Sequence, residues 1–233
     1  MTESPTGPEG VAFSDPTYRA AVVDLLGVIT YGEIAAFERL ADDSKLAPSL
    51  EDKVALAAMA SAEFGNVIKL RDRLEALGAD AFEAMAPFRV AVDSFHDHTS
   101  PSNWLEGLVK AYVGDGLARD FYREIAAHVD VETRDLILTS LGDTTYSEFV
   151  VDRVRSAIEQ DHRVGGPLAL WGRRLMGEAL TQAQRVAADH DALSALLAGG
   201  VDRPGMDLAA LGRMFNRLTV RHAERMEELG LAH

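Results

Sequence analysis

Apolar positions along this chain recur at spacings of three and four, the period of helices that bury one face. One stripe is Val22, Leu26, Ile29, Glu33, Ala36 and Leu40; a second is Leu56, Ala60, Glu63, Val67, Leu70 and Leu74. A third is Leu108, Tyr112, Asp115, Ala118, Tyr122 and Ile125. The fourth, less regular, is Ile137, Leu141, Thr144, Glu148, Val151 and Ile158. Sustained apolar/polar alternation is absent, so the pattern predicts helices and no sheet.

Local punctuation sets the expected ends. Ser14-Asp15-Pro16 supplies a cap and a first-turn proline, starting a helix that runs to about Asp43, with a bend at Gly27 or Gly32. Ser49-Leu50-Glu51-Asp52 reads as a capping box for a second helix that ends near Gly78. Pro87 breaks the stretch from Ala79 to Thr99 into short helices. Ser100-Pro101-Ser102 opens a third helix to about His128, and a fourth follows the link 129–131 and ends near Asp161. Gly165-Gly166-Pro167 starts a fifth, to Leu197. Gly199-Gly200 and Arg203-Pro204-Gly205 form a hinge before a last helix, Met206 to Leu229. The expected organisation is a flexible tail (1–13), a helical bundle (14–199), and a hinge with a C-terminal helix packed on the bundle (200–233).

Each short link predicts an antiparallel hairpin, and a crossover of about 20 residues joins the two hairpins. Two hairpins with one long crossover is the connectivity of a ferritin-like four-helix bundle. The fold class expected is therefore all-α, ferritin-like, with additional C-terminal helices.

Composition narrows the chemistry. Apolar residues make up 47% of the 233, enough for a substantial core. With no cysteine, thiolate catalysis, iron–sulfur clusters and cysteine zinc sites are excluded, and a cytoplasmic location is expected. No signal peptide or transmembrane helix, and hence no membrane partner, is read from the sequence. The formal charge of −14 opposes nucleic-acid binding unless basic residues gather in a patch.

The stripes carry one anomaly in common: an acid near the middle of each, at Glu33, Glu63, Asp115 and Glu148. Counted from their links, the four lie at matching levels. Buried carboxylates crowd like charges in a medium that solvates them poorly. A bound cation, shared protons or basic partners relieve this, and Arg119, four residues after Asp115, is one such partner.

This layout resembles the ferritin-like di-iron carboxylate proteins, whose pattern is Glu plus Glu-x-x-His, twice. More narrowly, Tyr31-Gly32-Glu33-Ile34-Ala35-Ala36-Phe37-Glu38-Arg39-Leu40 and the run from Trp104 to Gly116 resemble the bacterial family related to the tRNA hydroxylase acting on 2-methylthio-N6-isopentenyladenosine. The resemblance covers roughly Tyr18 to Ala188. It implies a metal-dependent oxygenase or hydroxylase holding dinuclear iron or manganese through Glu33, Glu63, Asn66, Asp115 and Glu148, with tRNA or a small molecule as partner. The two histidine places hold Asn66 and Val151. A site of carboxylate and carbonyl oxygen suits magnesium, calcium or manganese better than iron. The alternative is a metal-free, catalytically inactive bundle acting as a binding or assembly protein; a homodimer is compatible with either.

Weaker signals complete the reading. Glu178 extends the stripe Leu168, Trp171, Leu175 and is expected to pair with Arg174 or Arg185. His96-x-His98 is expected to be solvated. Tyr31, Tyr112, Tyr122 and Tyr146 read as core tyrosines with satisfied hydroxyls. Arg213, Arg217, Arg221 and Arg225 form a basic ridge, either an RNA contact or a docking surface for the acidic bundle.

Overall fold

The Asp15 carboxylate accepts from the Thr17 amide, and Pro16 fills the first turn, so the first helix, α1 (Pro16–Asp43), opens where the sequence places it. The structure, a computed structural model, describes Phe13 and residues 15–141, 147–198 and 208–232; the rest of the expected tail and the hinge at 199–205 lie outside these. Ser49 caps α2 (Leu50–Ala76) by accepting from the Asp52 amide, and Gly78, at φ +70°, takes the left-handed turn that ends it. Two short helices, α3 (Ala81–Met85) and α4 (Arg89–His98), carry the crossover, joined by a single tight turn through Pro87. Asn103 caps α5 (Trp104–Ala126), rather than the serines before it. Beyond it come α6 (Val131–Ser140), α7 (Ser147–Gln160), α8 (Gly165–Asp189), α9 (Asp191–Ala198) and α10 (Leu208–Glu228). No strand occurs among the described residues.

Two expected helices are each divided. The fourth becomes α6 and α7: the first ends at Ser140, with Leu141 as its C-cap, and the second begins at Ser147. Thr144 and Tyr146 fall outside the described residues. The fifth breaks into α8 and α9 at His190, whose ring stacks on Phe88 at 4.2 Å and lies 3.7 Å from Asp24. These contacts hold a turn that the periodicity does not announce. α1, by contrast, runs through Gly27 and Gly32 as one helix.

α1 packs along α2 as an antiparallel hairpin, with α5 and α8 completing the bundle. One core cluster gathers Leu25, Leu26, Ile29, Leu70, Leu74, Phe88 and Ile137. Another gathers Leu56, Leu108, Val113, Leu168, Leu175 and Met226. By length and composition the segment Pro16–Leu46 is apolar enough to cross a membrane, with a mean hydropathy of 1.6. Its Leu25, Leu26 and Ile29 are fully enclosed by the bundle, so it serves here as the central core helix.

Glycines permit two close approaches. A Cβ on Gly27 would stand 2.2 Å from the Ala84 carbonyl oxygen of α3, and one on Gly116 would meet the Arg225 guanidinium of α10. α10 is docked by three of its ridge arginines. Arg217 grips Glu124 at 2.6 Å, Arg221 reaches Glu124 at 3.3 Å, and Arg225 pairs with Asp120 and donates to the Gly116 carbonyl. Both acids belong to α5, so the ridge docks this helix on the acidic bundle.

Candidate functional site

A cavity of about 280 Å³ runs between α1, α4, α5, α8 and α9. Its wall follows α1 from Leu25 to Asp43, about 27 Å of helix at 1.5 Å per residue. Apolar side chains dominate: Leu25, Val28, Met59, Phe95, Phe121 and Leu180 among them. Polar groups appear in two places along this wall, and each has its own chemistry.

Midway, Glu33 of α1, Glu63 of α2 and Asp115 of α5 line the cavity. Glu33 is only 8% exposed. Burial raises its pKa well above the ordinary carboxylate range, and the neighbouring Glu63 carboxyl pushes the same way. Glu33 therefore holds its proton where an exposed glutamate has lost it. Asn66 adds to the cluster: its amide nitrogen donates to Glu33 at 3.3 Å and to the Ser140 carbonyl at 2.9 Å. A carbonyl only accepts, and this fixes which way the amide points.

Burial pushes Asp115 up to about 7 against the charge of Arg119, which bonds it at 3.0 Å. Its side chain is 39% accessible and lines the cavity. Tyr122 lies beside the group. Burial, then the charges of Glu33 and Asp115, hold its hydroxyl protonated.

The fourth expected acid does not join. Glu148 is exposed in the first turn of α7, and Val151 is partly buried against the apolar core. The break after α6 resets the helical phase, so that α7 buries Val150 and Val154 instead. Glu178 does not join either: it bonds His98 at 2.8 Å and Gln182 at 2.7 Å, not the arginines expected. Among the described residues, no three His, Asp or Glu side chains are grouped so as to hold a metal ion. Of the metal set the resemblance implies, Glu33, Glu63, Asn66 and Asp115 come together; a proton and Arg119 balance the acids there, and no imidazole faces them. This donor set does not fit a dinuclear iron centre.

The second polar group lies at the Asp43 end, and the sequence reading passed over most of it. Arg39 and Asp43 of α1, His96 of α4 and Lys110 of α5 all line the cavity there. His96, expected to be solvated, is instead turned inward: burial, then the charges of Lys110 and Arg39, lower its pKa to about 3 and keep the ring neutral. Lys110 is 5% exposed, and burial lowers it to about 8. Burial raises Asp43, with Lys110 and Arg39 opposing. The signal was available: Lys110 interrupts the run Leu108-Val109-Lys110-Ala111 on a face that must be buried.

Two of the tyrosine hydroxyls are engaged as expected: Tyr31 donates to Asp93 at 2.7 Å, and Tyr112 bonds Glu228.

Comparison with known proteins agrees with this architecture. The model of a family described as a ferritin-like domain of actinomycetes matches residues 16–200. Among solved structures, a Synechococcus protein titled "Protein 19 with aldehyde deformylating oxidase activity" is similar over 94% of both chains, with a TM-score of 0.70 and 19% identity. At that identity the likeness is one of fold. No curated protein matches the chain.

Proposed function

We propose that this chain, which belongs to the ferritin-like domain family of actinomycetes, binds an elongated apolar small molecule inside its bundle. The observation that carries this reading is the long cavity walled by aliphatic and aromatic side chains. Each methylene moved from water into such a space contributes about 0.8 kcal/mol, so a chain-like molecule gains along the whole wall. The mid-cavity acids do not oppose it. Glu33 holds its proton, Asp115 is paired with Arg119, and Tyr122 keeps its hydroxyl hydrogen. A neutral apolar chain therefore passes acids whose charge is partly offset, rather than three bare carboxylates.

The function reads best as binding, with the acids tuning the cavity. Extraction of freshly purified protein with organic solvent, followed by mass spectrometry, tests it. About one apolar molecule per chain is expected, and none in a variant whose cavity is filled by Ala118→Trp. An extract equally empty from both proteins, with no apolar compound taken up on incubation, contradicts the reading.

A metal-dependent oxygenase is the second reading, favoured by the convergence of Glu33, Glu63 and Asp115 and by the neighbour of known oxidase activity. Elemental analysis after growth with added iron and manganese separates the two: about two metal ions per chain supports the oxygenase. Action on tRNA is the least supported form of it. Arg217, Arg221 and Arg225 are already spent on Asp120 and Glu124.

A further inference from the structure

We infer that the ligand is an apolar chain ending in a carboxylate, and that its head sits against Lys110 and His96 rather than at the acids in mid-cavity. The inference rests on the binding function proposed above and deepens it. Lys110 is nearly sealed from solvent, and its ammonium spends one hydrogen bond, on the Thr99 carbonyl at 2.7 Å. The Phe95 ring lies 5.6 Å away. An ammonium has three donors, so two remain for whatever occupies the cavity. His96 stands on the same wall with a buried Nδ1 that has no hydrogen-bond partner among the described residues. A buried polar atom left unpaired costs free energy, and a ligand oxygen restores the bond.

Charge selects the head. Arg39 is already paired with Asp42 at 3.2 Å, whereas Lys110 makes no ion pair within 4 Å among the described residues, Asp43 and Asp97 acting on it only from farther away. A carboxylate head supplies the close partner that this buried ammonium lacks. At mid-cavity no such ammonium is open to a ligand, because Arg119 is already bonded to Asp115 at 3.0 Å and the other lining groups there, Glu33 and Glu63, are acids. A carboxylate placed among them is repelled. Glu33 and Asp43 are ten residues apart on α1, about 15 Å. A ligand anchored at Lys110 thus lays its chain past the acids toward the apolar end at Leu193 and Leu197.

Competition against a neutral apolar fluorophore, N-phenyl-1-naphthylamine, tests the assignment on the full-length protein, with dodecanoic acid and 1-dodecanol as probes. The acid is expected to displace the fluorophore at a concentration roughly tenfold or more below that of the alcohol. Lys110→Met is expected to abolish that advantage, so that acid and alcohol displace the fluorophore at similar concentrations. His96→Phe is expected to weaken both. Retained fluorophore binding shows that each variant's cavity is intact. Should Lys110→Met not fold, Arg39→Gln is expected to diminish the same advantage by weakening the positive end. Equal displacement by acid and alcohol, or an advantage that survives both charge removals, overturns the inference while leaving apolar binding standing. Failure of the fluorophore to bind the wild-type protein overturns both.

Discussion

Asp115 shows what a buried acid costs when the cations near it, Arg119 and Arg225, do not outweigh its burial. Its pKa of about 7 in the fold stands above the ordinary 3.8. The folded state therefore binds the extra proton, and the stabilisation this gives is complete below about pH 4 and lost as pH rises to about 7. Asp115→Asn is expected to flatten that part of the pH–stability profile and to raise the melting temperature at pH 8. Thermal denaturation at pH 4.5 and pH 8 checks this. A lower melting temperature for the variant at pH 8 contradicts it and points to a stabilising cation instead. The acids at 33, 63 and 115 were legible in the sequence because each interrupts an unbroken stripe. Glu148 was misread because its stripe continues across a break that changes helical phase. His96 and Asp43 were invisible for another reason: they lie at helix ends, where periodicity has no neighbour to test them against.

At the scale of elements, glycine discriminates packing from propensity. Gly27 lets α3 approach α1 until the Ala84 carbonyl fills the place of a Cβ. Gly27→Ala forces backbone against backbone and is expected to cost about 1–3 kcal/mol. Gly65, inside α2, has nothing within 4 Å of its Cβ position. Gly65→Ala is therefore expected to stabilise by about 0.5–1 kcal/mol, through helix propensity alone. Chemical denaturation of the two variants checks the pair, and equal effects contradict the packing described. Most helix starts were legible because side-chain caps and prolines announce them. The divisions after Ser140 and at His190 were not: apolar spacing carries on past the first, and the second rests on a ring contact with Phe88 across the fold.

For the molecule as a whole, the bundle follows from the connectivity of its hairpins, and the family match over residues 16–200 agrees with it. The C-terminal helix completes it: its arginines neutralise acids of α5 on a chain of net charge −14. What the sequence did not reveal is the cavity, because a void is the absence of side chains where several helices meet and leaves no local pattern. The central claim is that this void binds an apolar molecule without any metal ion. Titration of chelator-treated protein with N-phenyl-1-naphthylamine, followed by fluorescence, tests it most directly. The account predicts saturable binding of one fluorophore per chain, lost in Ala118→Trp. Binding that is absent, or that appears only after iron or manganese is restored, contradicts it.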